Sequence, residues 1–341
     1  MKHSLIAALT ALLTLLPASA EPQNELDLLR QECQDLRRLL ASQPQQQAQP
    51  APSVTRQTSQ PAVPFVRSGP LAVTTWNLEW FPSGIAFKTA APEVEQTRVE
   101  AAATALKPFA PDILFIQEVR DAAACDKLAK AMGAGLKTAV CSSFVDAAGL
   151  PMFQQCAILT TLPVLEVRAE RWHTFGFVDP PRGMAYALLD TGDGLVACFS
   201  LHLKSNLKRA PRDHQLNILK RELAIDQLLR FIRDMPKRAD GRTVEKFIIA
   251  GDFNTTFDQP DYLSENTLRA LLENGFANTV EGVPPAERVT LPGSAPNPNV
   301  TPYPDVTFDY IFWKGFARQL SWRLGDKAEV SDHKPLSVAV E

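Results

Sequence analysis

Three features of this sequence predict an α/β fold. Short apolar runs of strand character alternate with longer amphipathic stretches of helical period. Nearly every one of those runs ends in an acid, an amide or an imidazole. The chain of 341 residues is 45% apolar and 21% charged, which is enough to bury a core of its own. Its 35 basic and 38 acidic residues leave a formal charge of −3, so no global basic field attracts a polyanion. Any nucleic-acid contact must be a local patch.

The elements follow in order. Lys2 and His3 precede an apolar run from Leu5 to Leu16, and Ala18-Ser19-Ala20 supplies the small residues of a cleavage site. That run is far shorter than the roughly 20 residues of a membrane span, so residues 1–20 read as a secretory signal peptide. The expected product starts near Glu21 and is secreted or periplasmic, with no later apolar stretch long enough to span a membrane. Across residues 21–41, Leu26, Leu29, Cys33, Leu36 and Leu40 recur by three and four. This is either a short coiled-coil seam that could join a homodimer or a helix packed on its own domain. Residues 42–69, rich in Gln, Pro and Ser, read as a linker.

Residues 70–341 form the α/β domain. Strands are predicted at 71–76, 112–117, 184–189, 195–201, 246–250, 308–313 and 337–340. Helices are predicted at 93–106, 121–132, 213–233 and 266–274. Residues 284–304, rich in Pro and Asn, read as a surface loop. Five cysteines, Cys33, Cys125, Cys141, Cys156 and Cys198, show no zinc spacing. Cys141 and Cys156 flank a turn-like stretch, and a symmetric hairpin would face them as a disulfide or as two buried thiols.

The polar residues at the strand ends carry the chemistry. Asn77 and Glu79 end the first strand, Gln117 and Glu118 the second, His202 a third, and Asp252 and Asn254 a fourth. Asp309 opens a further strand, and Asp332-His333 precede the last. One Gly-Asp at a strand end is ordinarily a turn. Six coordinated interruptions on converging strand ends describe a site. Carboxylate and amide oxygens without a Cys/His cluster select Mg²⁺, with Mn²⁺ or Ca²⁺ as the other hard cations, over zinc. With two imidazoles beside them, they suit attack of water on a phosphoester.

The ordered motifs WN-x-E, IQE, HLKSN, GDFN, FDYI and SDH resemble the endonuclease/exonuclease/phosphatase superfamily, from about Leu71 to the C-terminus. The resemblance implies a four-layer α/β/β/α sandwich of two packed mixed sheets with its site at one edge. It implies Glu118 as the principal metal ligand, helped by Asn77 and Asp332, with Glu79 as a second acid. Asp252 then orients or deprotonates the water, and Asn254 holds water or phosphoryl oxygen. His333 stands at the scissile phosphate with Asp309 fixing its tautomer, and His202 is the other imidazole. Arg182 resembles an arginine that faces the phosphate. Deoxyribonuclease-like members support the first histidine with a glutamate, where this chain has Gln154-Gln155, so His202 is expected to act as a neutral donor.

Substrate contacts are expected from Arg120, Lys204 and Asn206. Lys204, Lys208, Arg209, Arg212, Lys220 and Arg221 follow His202 closely, a local patch that could track phosphates. Lys220 and Arg221 read better as the solvated face of the long helix. The leading functional expectation is a secreted metal-dependent phosphodiesterase that hydrolyses nucleic acid, DNA or RNA, as an endonuclease. The alternatives are a phosphatase or phospholipid phosphodiesterase of the same superfamily, and a non-catalytic binding protein.

Overall fold

The computed structural model of the chain describes residues 69–146, 148–206, 213–235, 242–293 and 303–341. The signal segment, the helix carrying Cys33, nearly all of the linker, and Lys208, Arg209 and Arg212 lie outside the described residues.

Two six-stranded mixed sheets make the domain. The first runs β11 (Gln319–Leu324), β12 (Leu336–Val340), β1 (Leu71–Phe81), β2 (Ile113–Val119), β4 (Gln155–Thr160), β3 (Lys137–Cys141). The second runs β5 (Val164–Arg171), β6 (Gly183–Asp190), β7 (Leu195–His202), β8 (Lys246–Asp252), β10 (Asp309–Lys314), β9 (Ala277–Asn278). Each sheet holds one parallel pair, β1 with β2 and β7 with β8, and every other pairing is antiparallel. Parallel neighbours need a crossover. Helix α1 (Pro92–Leu106) supplies one, and α3 (Asp213–Arg233) lies in the other.

Side-chain alternation assigns the layers. On β2, Ile113 and Phe115 enter the apolar core shared with β7 and β8, while Leu114 and Ile116 face α1 and α2 (Ala122–Met132). On the second sheet's outer side, Ala224, Ile225 and Leu228 of α3 and Leu268 and Leu271 of α4 (Thr267–Glu273) join the first core. The result is the expected α/β/β/α sandwich. Asp121 caps α2 by accepting from Ala124 N at 2.8 Å.

Several boundaries move outward from the sequence reading: β1 runs on to Phe81 and takes Asn77 and Glu79 inside the strand. Strands β5, β9 and β11 were absent from it, because edge strands carry little apolar alternation; β11 is half exposed along its length. The hairpin does not bring Cys141 to Cys156. Cys141 pairs with Ala157, and the β3–β4 register shifts between Thr138 and Val140. Cys141 packs on the helix-side core with Cys125, whereas Cys156 lies in the core between the sheets. Cys125, Cys141, Cys156 and Cys198 are all free thiols.

Candidate active site

Both parallel pairs deliver their C-terminal ends to one edge of the sandwich, where α/β sheets place ligands. Asn77 is the last residue of β1 before its register shift against β2, Glu118 lies near the end of β2, and His202 faces Asp252 across β7 and β8. Asp309 faces Asp252 from the other side, across the antiparallel β8–β10 pair. A polar row thus crosses the second sheet: His202, Asp252, Asp309. His333 enters from the first sheet, on the loop before β12.

The backbone is bent to aim these groups. Glu118 adopts φ +58° and Asn254 φ +53°, in the left-handed region that costs an ordinary residue about 1–3 kcal/mol. The pairing of β2 with β4 slips between Gln117 and Val119, so Glu118 sits on a bulge. Glu79 and Trp80 are also left-handed, at φ +43° and +53°, where the β1–β2 register shifts. Gly251 has φ +145°, and a Cβ there would lie 2.0 Å from the Leu201 carbonyl oxygen. Only glycine lets β8 close on β7 directly before Asp252.

Asn77 joins the two acids. Its Nδ2 donates to Asp252 Oδ2 at 3.0 Å and to Glu118 Oε1 at 3.3 Å, and its Oδ1 accepts from Glu79 N at 3.1 Å. Glu118 Oε2 accepts from Trp80 N at 3.2 Å. Asp252 is 2% exposed and its Oδ1 accepts from Asn254 N at 2.9 Å. Burial, and then the Asp309 charge, push its carboxyl up to about 7, against the pull of His333.

His333 Nδ1 lies 2.6 Å from Asp309 Oδ2, and its Nε2 stands 4.0 Å from Asp252 Oδ2 and 3.9 Å from Asp332 Oδ1. Burial opposes its charge, but the Asp309 carboxylate more than offsets this and holds the ring up at about 10. His202 Nε2 lies 3.5 Å from Asp252 Oδ2 and 3.7 Å from Glu118 Oε1. Burial and the positive charge of Arg182 press its pKa well below the usual histidine value, so this ring is neutral. Its Nδ1 is buried, with no hydrogen-bond partner among the described residues.

The remaining expected residues are placed differently. Arg182 is buried and spends its donors on the protein: Nε on His202 O at 2.7 Å, Nη2 on Leu203 O at 2.5 Å, Nη1 on Gln154 Oε1 at 3.1 Å. Arg120 is bound to Glu95 and to Asp121. Lys204 Nζ donates to Ser205 O at 2.8 Å, and burial with nearby Arg182 lowers it to about 8. Asn206 Nδ2 donates to Asn254 O at 2.5 Å. Asp332 donates its backbone N–H to Glu79 Oε2 at 3.1 Å. Burial, then the charges of Asp332 and Glu118, raise the Glu79 pKa.

Sequence reasoning missed the braces beneath these groups. Ser331 Oγ donates to Asn77 O at 2.6 Å and accepts from His333 N at 3.0 Å. Trp76 Nε1 donates to His333 O at 2.9 Å. Thr290 Oγ1 accepts from Asp309 N at 3.0 Å, and Arg98 Nη2 donates to Glu79 O and Val330 O at 3.0 and 2.6 Å. Ser331 stands inside the SDH motif and was readable as a turn former; the others leave no local signal.

Among the described residues, no three Asp, Glu, His or Cys side chains already converge as a ready metal cluster. The Glu118 carboxylate nevertheless fits a hard cation of the Mg²⁺ type, which keeps several waters and takes one or two carboxylates. Asn77 presents its Nδ2 to that carboxylate, with its Oδ1 turned to Glu79 N, and so positions Glu118. The crowding of Glu79, Asp332 and Glu118 is the electrostatic counterpart of that fit.

Solved structures share this architecture. Truncated TDP2 from Caenorhabditis elegans matches with a TM-score of 0.53 and 18% identity over 80% of this chain and 97% of its own. An endonuclease/exonuclease/phosphatase family protein from Leptotrichia buccalis matches at 0.54 and 15%, over 80% and 99% of the two chains. D. rerio TDP2, complexed with single strand DNA product, matches at 0.53 and 18%, over 80% and 100%. No curated protein matches the sequence. The pattern of one family, however, matches residues 74–333, a span that opens within β1 and closes on His333. With the sandwich and the strand-end cluster in place, that match puts the chain in the Endonuclease/Exonuclease/phosphatase family.

Proposed function

We propose that this protein is a divalent-metal-dependent phosphodiesterase that cleaves nucleic acid as an endonuclease, exported after signal cleavage near Ala20. The observation that carries the reading is the buried Asp252, set between the protonated His333 ring, itself paired with Asp309, and the neutral His202. An acid with a pKa near 7 beside an imidazolium is a matched base and acid at neutral pH. The DNA product in the D. rerio TDP2 structure, on the same fold, favours a nucleic-acid substrate.

The residues then divide the work. Asp252 takes the proton of the attacking water, and Asn254, fixed by its bonds to Asp252 and Leu203, orients water or phosphoryl oxygen. His333 Nε2, kept protonated through Nδ1 by Asp309, stabilises the charge developing on phosphoryl oxygen. His202 offers a neutral ring beside Asp252 without competing for its proton. Family members generally use divalent metal ions; Glu118, positioned by the Asn77 amide, would hold one, and when bound it would supply neutralising charge to the phosphate.

The test is a panel of single-stranded DNA, RNA, sphingomyelin and inositol phosphates, each with Mg²⁺, Mn²⁺, Ca²⁺ or EDTA. Expected is hydrolysis of nucleic acid with Mg²⁺ or Mn²⁺ and none in EDTA. Turnover of only sphingomyelin or inositol phosphates would move the enzyme to the lipid or phosphatase branch. Inactivity on every substrate would leave a binding protein.

A further inference from the structure

Arg221 reads from the sequence as solvated helix surface, and the structure reverses this. Its side chain is 0% exposed, a position that a guanidinium tolerates only when fully paired. Nε and Nη2 donate to Glu265 Oε1 and Oε2 at 2.7 and 2.5 Å, in the two-pronged geometry of a strong pair. Nη1 turns toward the site. It donates to Lys204 O at 3.0 Å and to Asn206 Oδ1 at 2.8 Å. Asn206 in turn donates to Asn254 O, and Asn254 N donates to Asp252 Oδ1. Glu265 Oε1 also accepts from Thr267 Oγ1 at 2.6 Å. One continuous set of bonds runs from the start of α4, through α3, to Asp252.

We propose that Arg221 is a positioning residue: it holds the 203–206 segment against Asn254, with Glu265 as its anchor, and so sets the geometry in which Asp252 and Asn254 act. Arg221 touches no substrate. The Glu265 carboxylate takes only part of the five guanidinium donors, and the arm left over is spent on the 203–206 loop rather than elsewhere. Lysine could not replace it, because a single ammonium cannot reach Glu265 in two places and the loop together. The proposal rests on the phosphodiesterase reading for its consequence in rate, but not for its consequence in loop order.

The experiment uses the full chain and separates stability from positioning. In Arg221→Met the Glu265 charge is buried without a partner, so the melting temperature falls. Arg221→Met/Glu265→Leu removes both charges, and replacing a buried pair with apolar groups is often neutral or stabilising. The double variant is therefore expected to melt near wild type. Its kcat on a single-stranded oligodeoxynucleotide with Mg²⁺ is expected to fall about 10–100-fold with a smaller change in KM, the scale of a small misplacement at a site. Adding Asn206→Ala to that background should cost little more, since both act along one path. Hydrogen exchange should quicken at 203–206 while β7 and β8 keep their protection. Arg221→Lys, which keeps one charge on Glu265, should fold and show the same quickened exchange, and it decides the matter if the double variant does not fold. Wild-type kcat with wild-type exchange at 203–206 in a stable variant would overturn the proposal. If wild type hydrolyses no phosphodiester, the functional reading fails and hydrogen exchange alone decides the role of Arg221.

Discussion

Asp252 and Glu118 are both acids at the edge of a buried core, and their surroundings divide their roles. Asp252 is closed off from solvent between two imidazoles, whereas Glu118, among the described residues, accepts hydrogen bonds from Asn77 and Trp80 and keeps further lone pairs available. Glu118→Gln should therefore weaken Mg²⁺ binding by at least about 10–100-fold, the range reported even for outer partners of a metal site. Activity should fall with it while circular dichroism stays unchanged; near-wild-type hydrolysis at limiting metal would remove Glu118 from that role. For Asp252, the carboxylate is the active form and burial lifts its pKa to about 7. kcat/KM should accordingly rise as pH climbs through about 7, and the limb should move lower as cation is added, because positive charge favours the ionised acid. A profile flat between about pH 5 and 8 would contradict the assignment. These residue types were legible in the sequence because charge interrupting an apolar run is conspicuous. Their left-handed backbone was not, since φ +58° at Glu118 is imposed by pairing with β4, over 35 residues away in the chain.

The two parallel pairs are the elements that make the site. Each was half visible: the apolar runs and the helix between them could be read, but not which strands become neighbours. Register is a matter of tertiary pairing, and it alone places His202 beside Asp252 and Asp309. Gly251 makes that register possible. Gly251→Ala should push the new methyl into the Leu201 carbonyl and destabilise the domain by at least about 1–3 kcal/mol, measured by chemical denaturation. A variant as stable as wild type would mean that β7 and β8 are not so closely paired. The facing-cysteine expectation failed for a related reason. A symmetric hairpin was assumed, but Ser142 Oγ and N, bonded to Cys156 N and O, offset the two strands and leave the two thiols on opposite faces. Arg221 was misread because a charged residue on a long helix is normally solvated, and nothing local announces Glu265, 44 residues on.

At the scale of the domain, the edge that carries the candidate site is shared between the sheets: Asp309 opens β10 of the second, and His333 lies before β12 of the first. The Gln-, Pro- and Ser-rich linker in residues 21–64 has no composition to pack on that edge. Deleting them should leave kcat/KM on an oligonucleotide within about twofold, since the family span and all described site residues lie beyond them. A large loss in a monodisperse truncated chain would show that the N-terminal segment completes the site or an active oligomer. The account depends most on the contact that joins the two sheets at this edge, His333 Nδ1 to Asp309 Oδ2 at 2.6 Å. Its direct measurement is kcat/KM against pH for wild type, Asp309→Asn, His333→Ala and the double variant, each checked for folding. Both single losses should fall at about 10²–10⁴-fold, and the double should be little worse than His333→Ala, because the two act as a unit. In wild type the rate should fall only as pH rises through about 10, where His333 gives up its proton, and Asp309→Asn should bring that limb down toward the ordinary histidine range. Fully multiplicative losses, or an alkaline limb that Asp309→Asn does not move, would contradict it.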